Sequence, residues 1–405
     1  MKARYQYRIY PTPQQAKELS KLFGCCRVVW NDSLAWVMQT PEDTEWPSNT
    51  ELQKLCITLA KQYPQRSWLS EVSNIPLQQS VQDLGVAFKN FYESCSGKRK
   101  GPKVRFPKFK SRHGKQSARF TKLGFSCKGN KLFLAKIGLF KVKWSRKLPA
   151  ELSSVTILRN KAGQYYASFV VEVQQKSVRA KRKSIGVDLG IKVFAFPSVG
   201  KPVFSPSYDR LNRLIARTNR KLARQVKGSN RWQRTKLKLA RLHLKVANTR
   251  KDFLHKQSTK LIRENQTVSL ENLNVKGMLA NRRLSRAISQ QGWTQFRTMC
   301  EAKANQYKNR IVSIISRWEP TSQTCSDCGF RWGKIALSVR SILCVSCGAE
   351  HDRDENAAKN IDRVGVGHVH NIQKRTLSEC QSSLEAVRDD VSSQPYGGEQ
   401  LCFDL

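Results

Sequence analysis

Cys325-x2-Cys328 is followed by Cys344-x2-Cys347, and no other feature restricts what this chain can fold into so tightly. Pairs at this C-x2-C-x15-C-x2-C spacing can deliver four thiolates to one tetrahedral zinc ion, the arrangement of a zinc ribbon. Gly329 and Gly348 each follow the second cysteine of a pair, where a tight turn lets backbone amides face the sulfurs. Four cysteine ligands leave zinc no open position, so the expected ion is structural and supports shape rather than chemistry. Cys25, Cys26, Cys56, Cys95, Cys127, Cys300, Cys380 and Cys402 show no disulfide framework and fit the reducing cytosol. The opening MKARYQYRIYPTPQQ has no apolar core of a signal peptide. No apolar run approaches the roughly 18 residues that cross a bilayer. The expected location is the prokaryotic cytoplasm, with no membrane partner.

Charge narrows the function. The chain has 405 residues, with 73 Lys+Arg against 30 Asp+Glu and a formal net charge of +43. Such an excess repels itself unless a polyanion neutralises it, which points to nucleic acid and away from a small-metabolite enzyme. The excess is concentrated. Residues 98–122 hold eleven Lys/Arg and no acid, with Phe106, Phe109 and Phe120 interleaved. Lysines for phosphates and aromatic faces for bases suit nucleic acid; the bland alternative is a basic loop anchored by its phenylalanines. Residues 210–251 hold fifteen Lys/Arg and again no acid.

Periodicity sketches the rest. Tyr5, Tyr7 and Ile9 alternate with Arg4, Gln6 and Arg8 as in a half-buried strand. Thr12-Pro13 reads as an N-cap with proline at the first helical position, and Leu19, Leu22, Phe23, Cys26 and Trp30 follow at helical spacing. Residues 13–97 read as a helical unit; a DNA-reading helix-turn-helix fits, though bundle packing is the commoner source of such a pattern. Phe140, Val142 and Trp144 mark a strand, and a hairpin follows with its turn at Asn160–Gly163. With the first strand these suggest a small β-barrel interrupted by helices. A second half opens with strands at Ser184–Leu189 and near Val193–Phe196. A basic helical hairpin comes next, turning at Gly228-Ser229-Asn230.

Acids in apolar settings stand out in so basic a chain. Asp188 lies in Ile185-Gly186-Val187-Asp188-Leu189-Gly190, where period two turns it away from its apolar neighbours. The flanking glycines suggest an exposed carboxylate with open space for a metal ion and a phosphate. Glu271 ends a similar strand, and Asp354 lies in HDRDENAAKN, whose Ala-Ala pair reads as the close-packed start of a helix. Each alone could be a turn, strand-end or cap acid. Together, as strand-Asp, strand-Glu and helix-Asp, they form the acid set of an RNase H-like nuclease. Three carboxylates can hold two Mg2+ about 4 Å apart, one activating water and one stabilising the leaving oxygen. The chain has no phosphate-binding G-x-x-x-x-G-K-[ST] loop as a rival site.

On YRIYPTPQQ, SWLSEV (67–72), VRFPKFK, IGVDLGIK, KDFLHKQSTKLI (251–262), LENLNVKGM (270–278), TCSDCG, CVSCG and HDRDENAAKNI, the sequence resembles the TnpB (OrfB-type) proteins of insertion sequences. These are relatives of the compact type V CRISPR effector nucleases, and the resemblance covers nearly the whole chain. It implies a multidomain α+β fold: a wedge β-barrel at 1–12 and 98–180 holding a helical recognition domain at 13–97. An RNase H-like (RuvC-type) α/β nuclease domain follows at 181–317 and 348–376, with the four-Cys zinc ribbon inserted at 318–347. The family's catalytic and Mg2+-binding triad falls on Asp188, Glu271 and Asp354, with Asp352 the close alternative for the third acid. Its zinc ligands fall on Cys325, Cys328, Cys344 and Cys347. Members often carry an acid after the DLGIK run, where this chain has Val193.

The resemblance implies an RNA-guided, metal-dependent DNA endonuclease that cuts beside a short transposon-adjacent motif. Its partners would be guide RNA, from the 3′ end of its own locus, and target DNA, double-stranded and melted; a monomer with one RNA is favoured. A transposase using the same acidic centre and a non-cutting guided repressor are the alternatives. Residues 377–405 hold six acids and only Arg388 as a base, and are expected to form a disordered tail.

Overall fold

In the computed structural model, β1 (Lys2–Tyr10) buries Tyr7 and Ile9 on one face, as the alternation predicts. The structure describes residues 2–370 apart from 42, 100 and 337, so the acidic tail lies outside the described residues. The chain divides into two units, Met1–Gln174 with Arg217–Arg241 and Gln175–Ala216 with Leu242–Leu405.

In the first unit, Thr12 caps α1 (Pro13–Gln39) in a reciprocal box with Gln15, and the predicted stripe from Leu19 to Trp30 is buried. Turns of mixed helical type and α2 (Asn49–Gln53) lead to α3 (Asn74–Cys95). The Ser80 hydroxyl bonds the Cys26 carbonyl across the α1–α3 contact at 2.7 Å. The chain then returns to β2 (Gln116–Thr121), β3 (Phe125–Lys128), β4 (Lys131–Leu134), β5 (Gly138–Lys143), β6 (Leu152–Arg159) and β7 (Tyr165–Glu172). These strands and β1 form one antiparallel sheet in the order β2-β6-β7-β1-β5-β4-β3. Its edge strands β2 and β3 are consecutive and joined by the single turn Lys122–Gly124, so the sheet is nearly closed. In the β6–β7 turn Asn160 Oδ1 accepts from the amides of Ala162 and Gln164, and Gly163 takes φ +74°.

The basic stretch is strapped down. Trp30 Nε1 donates to the Lys108 carbonyl, and Asn31 bonds both backbone groups of Lys110. Phe106 packs edge-on against Phe88 and Phe91, and Phe120 is in the core. Two of the three phenylalanines are therefore anchors; Phe109 remains 54% exposed.

In the second unit, β8 (Arg182–Asp188), β9 (Phe196–Pro197), β10 (Asn265–Glu271) and β11 (Ile311–Ile315) form a sheet in the order β11-β10-β8-β9. β10 runs parallel to both β8 and β11, and its successive Val268, Ser269 and Leu270 are all wholly buried, as suits a strand covered on both faces. The strand expected near Val193–Phe196 shrinks to the two residues of β9. Phe194 turns into the core instead, with its carbonyl bonded to the Gly190 amide. The basic hairpin comprises α4 (Asp209–Ala223) and α5 (Asn230–Glu264), the latter spanning 35 residues; the hairpin's Arg217–Arg241 stretch belongs to the first unit. Past β10 come α6 (Val275–Met278), α7 (Ser285–Gln291) and α8 (Trp293–Ala304), which leads to β11. A two-stranded ribbon of β12 (Ser341–Leu343) and β13 (Glu350–Asp352) precedes helix α9 at residues 353–370. Among the described residues no helix is long and apolar enough to cross a membrane.

Candidate active site and metal centre

Asp188 ends β8 and Glu271 ends its parallel neighbour β10, where the register pairs Leu270 with Val187. Both acids thus emerge together at the carboxyl ends of parallel strands, where open α/β sheets place their sites. Asp354 lies in the first turn of α9. Burial, then the charges of Glu271 and Asp354, push the Asp188 carboxyl up to about 7, against the Leu189 amide and Arg353. Burial also raises Glu271, opposed by the Thr321 hydroxyl, which donates to Glu271 Oε1 at 2.7 Å. Arg340 Nη1 stands 3.0 Å from both carboxylate oxygens of Asp354. Asp188 thereby lies within reach of the charges of both other acids singled out in the sequence, Glu271 and Asp354.

One expectation needs correction. Asp188 is not an exposed carboxylate with open space on either side: it is largely desolvated, and Gly186 lies against the backbone of α9. The glycine makes room for a helix, not for a metal ion. Asp352, the alternative third acid, has a structural role. Its Oδ1 accepts from the amides of Asp354 at 2.9 Å and Glu355 at 3.0 Å, so it caps α9.

The carboxyls of Asp188 and Glu271, with Asp354 near enough for Asp188 to sense, have the chemistry for a divalent cation. Carboxylates that oppose each other's ionisation in a desolvated place are relieved by positive charge, and an all-oxygen set suits a hard ion such as Mg2+. Thr321, Arg340, Asn356 and Asn360 around these acids were not singled out in the sequence. The asparagines' spacing of four on α9 was the available signal.

The four cysteine sulfurs all lie within 4.8 Å of one another. Cys325 and Cys347 are 3.8 Å apart, and Cys328 and Cys344 3.6 Å. The two knuckles repeat one pattern: Gly329 N bonds Cys325 O and Cys325 N bonds Phe330 O; Gly348 N bonds Cys344 O and Cys344 N bonds Ala349 O. Both glycines have positive φ, +80° and +71°, which the turn requires. Four sulfurs so gathered fit one structural zinc ion. Unforeseen is His351, buried with Nε2 3.1 Å from Cys325 Sγ. It stands opposite Ile342, so the ribbon's pairing runs past residue 347 to Asp352.

Residues 168–282 match the family model for OrfB of IS605-type elements, described as "Probable transposase". A Streptomyces pristinaespiralis protein named "Putative RNA-guided DNA endonuclease" is 38% identical over 385 residues, covering 90% of each chain. The chain belongs to the TnpB (OrfB, IS605-type) family. Another relative, "Putative RNA-guided DNA endonuclease InsQ" of Escherichia coli K12, is 29% identical and covers 90% of this chain and 92% of its own. Residues 293–361, which include the four cysteines, match a "Cas12f1-like, TNB domain" model. Residues 1–39 match a model described as a helix-turn-helix domain, although here they form one strand and one uninterrupted helix. Among solved structures, the chain resembles Cas12f1 in its complex with sgRNA and target DNA, at TM-score 0.47 and 14% identity, covering 89% of this chain and 98% of that one.

Proposed function

We propose that this member of the TnpB family is an RNA-guided DNA endonuclease encoded by an insertion sequence, which cuts DNA beside a short transposon-adjacent motif. The observation that carries the reading is the convergence of Asp188, Glu271 and Asp354, each raising or feeling another's charge, in a chain of net charge +43. The names of its relatives support the guided reading. The β8–β11 sheet with α9 would form an RuvC-type nuclease domain carrying the zinc ribbon as an insert. The nearly closed sheet of the first unit would be the wedge barrel, with α1–α3 as the recognition domain. Guide RNA pairs with one DNA strand, and the acid-free basic segments neutralise the phosphate backbones. The work is done in the prokaryotic cytoplasm.

Asp188, Glu271 and Asp354 would hold the divalent ions, two Mg2+ by the carboxylate count. Ions bound there supply Lewis-acid activation of water and charge neutralisation at the leaving oxygen. The chain's own contribution is to hold Asp188 and Glu271 in register at adjacent strand ends and to keep those two desolvated, with Asp354 supplied from the first turn of α9. Arg353 adds a positive charge that Asp188 senses.

Asp188→Ala is expected to abolish Mg2+-dependent cutting while RNA still copurifies; retained cutting would remove Asp188 from the centre. Sequencing the RNA bound to protein from cells carrying its native locus tests the guide. A discrete RNA ending in sequence that flanks the gene supports guidance, and random fragments contradict it. The family-model description favours one other reading, a transposase using the same acids. Strand-joined products from a plasmid bearing transposon ends would establish it.

A further inference from the structure

Glu271 is held from outside its own sheet. Between β11 and the first cysteine knuckle the chain passes Thr321, 7% exposed, whose hydroxyl donates to Glu271 Oε1 at 2.7 Å. Thr321 is itself clamped. Its carbonyl accepts from Asn360 Nδ2 at 2.8 Å, and the same amide reaches the Thr324 carbonyl at 2.7 Å. Asn356 Nδ2 donates to the Thr324 carbonyl at 2.8 Å, and its Oδ1 accepts from the Ser326 amide at 2.7 Å, next to Cys325. Asn356 and Asn360 are 1% and 3% exposed and stand one turn apart on α9, the helix whose first turn carries Asp354. One buried hydrogen-bonded path therefore joins the first zinc knuckle, α9 and the Glu271 carboxyl.

We propose that Thr321 is the positioning residue for Glu271, through which the root of the zinc ribbon sets the divalent-cation site. A single fixed donor on Oε1 selects the orientation of the carboxylate. Threonine suits the task because its β-branched side chain is stiff about χ1. Its backbone is pinned by an asparagine that has no freedom left, since both of its amide hydrogens are used. Hydrogen-bond partners of metal ligands are typically worth 10–100-fold in metal affinity or activity.

The inference rests on Glu271 serving the acidic centre, so Glu271→Gln is measured beside the Thr321 variants. In the full chain copurified with its RNA, Mn2+ binding is titrated by EPR, zinc content is determined, and cutting is followed against Mg2+ concentration. Thr321→Val keeps the volume and removes the donor. It is expected to weaken Mn2+ binding tenfold or more and to raise the Mg2+ needed for half-maximal cutting in parallel. One zinc per chain should be retained, excess Mg2+ should restore cutting, and Thr321→Ser should restore both affinities. Wild-type Mn2+ affinity in Thr321→Val, with binding lost in Glu271→Gln, overturns the positioning role and leaves the centre standing. Loss of zinc, or of cutting that excess Mg2+ does not recover, makes Thr321 merely structural and equally overturns it. Wild-type binding and cutting in Glu271→Gln would instead bring down the reading of the centre.

Discussion

Gly186 on β8 touches the backbone of α9 at Ala358: a Cβ on Gly186 would stand 2.1 Å from the Ala358 carbonyl oxygen and 2.4 Å from the Asp362 amide nitrogen. Ala358 is wholly buried, and with glycine on the strand and alanine on the helix the two backbones can meet directly. Asp188 lies two residues beyond Gly186, and Asp354 one helical turn before Ala358. This contact therefore sets how closely two of the acids approach. Gly186→Ala should push α9 away and cost about 1–3 kcal/mol of stability. Cutting should fall roughly 100-fold, since a displacement of about 1 Å is enough to do that. Thermal melting and Mg2+-dependent cutting measure the two losses; a variant that melts early yet cuts normally would detach the contact from catalysis.

The raised Asp188 carboxyl has a cost that metal relieves. Its ordinary value is 3.8 and its value here about 7, chiefly from burial and then from Glu271 and Asp354. The folded state therefore holds a proton that the unfolded state has lost between those values, and this group's contribution to stability falls as pH rises from 3.8 towards 7. Above 7 the full penalty applies, at most about 4 kcal/mol. Asp188→Asn should accordingly raise the melting temperature of metal-free protein at pH 8 by a few degrees, with the gain shrinking by pH 5. Mg2+ should stabilise the wild type at pH 8 and this variant much less. Melting in EDTA and in Mg2+ at both pH values checks the sign.

Removing the zinc should disable a centre that contains no zinc ligand. The first knuckle is tied to α9 through Asn356 at Ser326, one residue from Cys325. Cys325→Ser or prolonged chelation is expected to release one zinc per chain and to loosen residues 321–326. Cutting should fall at least tenfold, by analogy with the loss of other groups that orient metal ligands. Metal analysis and hydrogen exchange over that segment provide the check, because a purely local ribbon would lose zinc without slowing the cut.

The sequence made the acids legible but not their neighbours. Period two in IGVDLG turned Asp188 away from its apolar neighbours, and the cysteine spacing brought four sulfurs within 4.8 Å. Gly186 was visible as a glycine, but its partner lies more than 170 residues on, and only the fold reveals whether a glycine admits a ligand or a helix. Thr321 and Arg340 are commonplace residues whose roles arise from tertiary contact alone. The capping role of Asp352 was closer to hand. An aspartate just before the first helical residue is a favoured N-cap, and Asp352, ahead of Arg353, takes that place.

Arg340 competes for Asp354. Its Nη1 is 3.0 Å from both carboxylate oxygens, yet the arginine side chain is 51% exposed, so the pair is worth no more than about 1 kcal/mol. Arg340→Ala should therefore lower the Mg2+ concentration for half-maximal cutting, by up to roughly fivefold. A cutting curve against Mg2+ decides the direction; a higher requirement would mean that Arg340 serves the substrate phosphate more than it blocks the acid.

The basic hairpin should show its role in salt. Arg217, Arg220, Lys221 and Arg224 line one shallow cleft along α4. Among the described residues none of the four forms an ion pair within the protein. Cations left free of partners can each displace a counterion from a phosphate, and each such contact adds about 0.7 to 0.9 to the slope of log affinity against log salt. Replacing all four by alanine is expected to flatten that slope by about 3 and to weaken RNA binding most at low salt. Melting should hardly change, since exposed charges contribute little to stability. Binding measured across a salt series separates this from a folding defect, which would lower affinity at every salt concentration and leave the slope as it was.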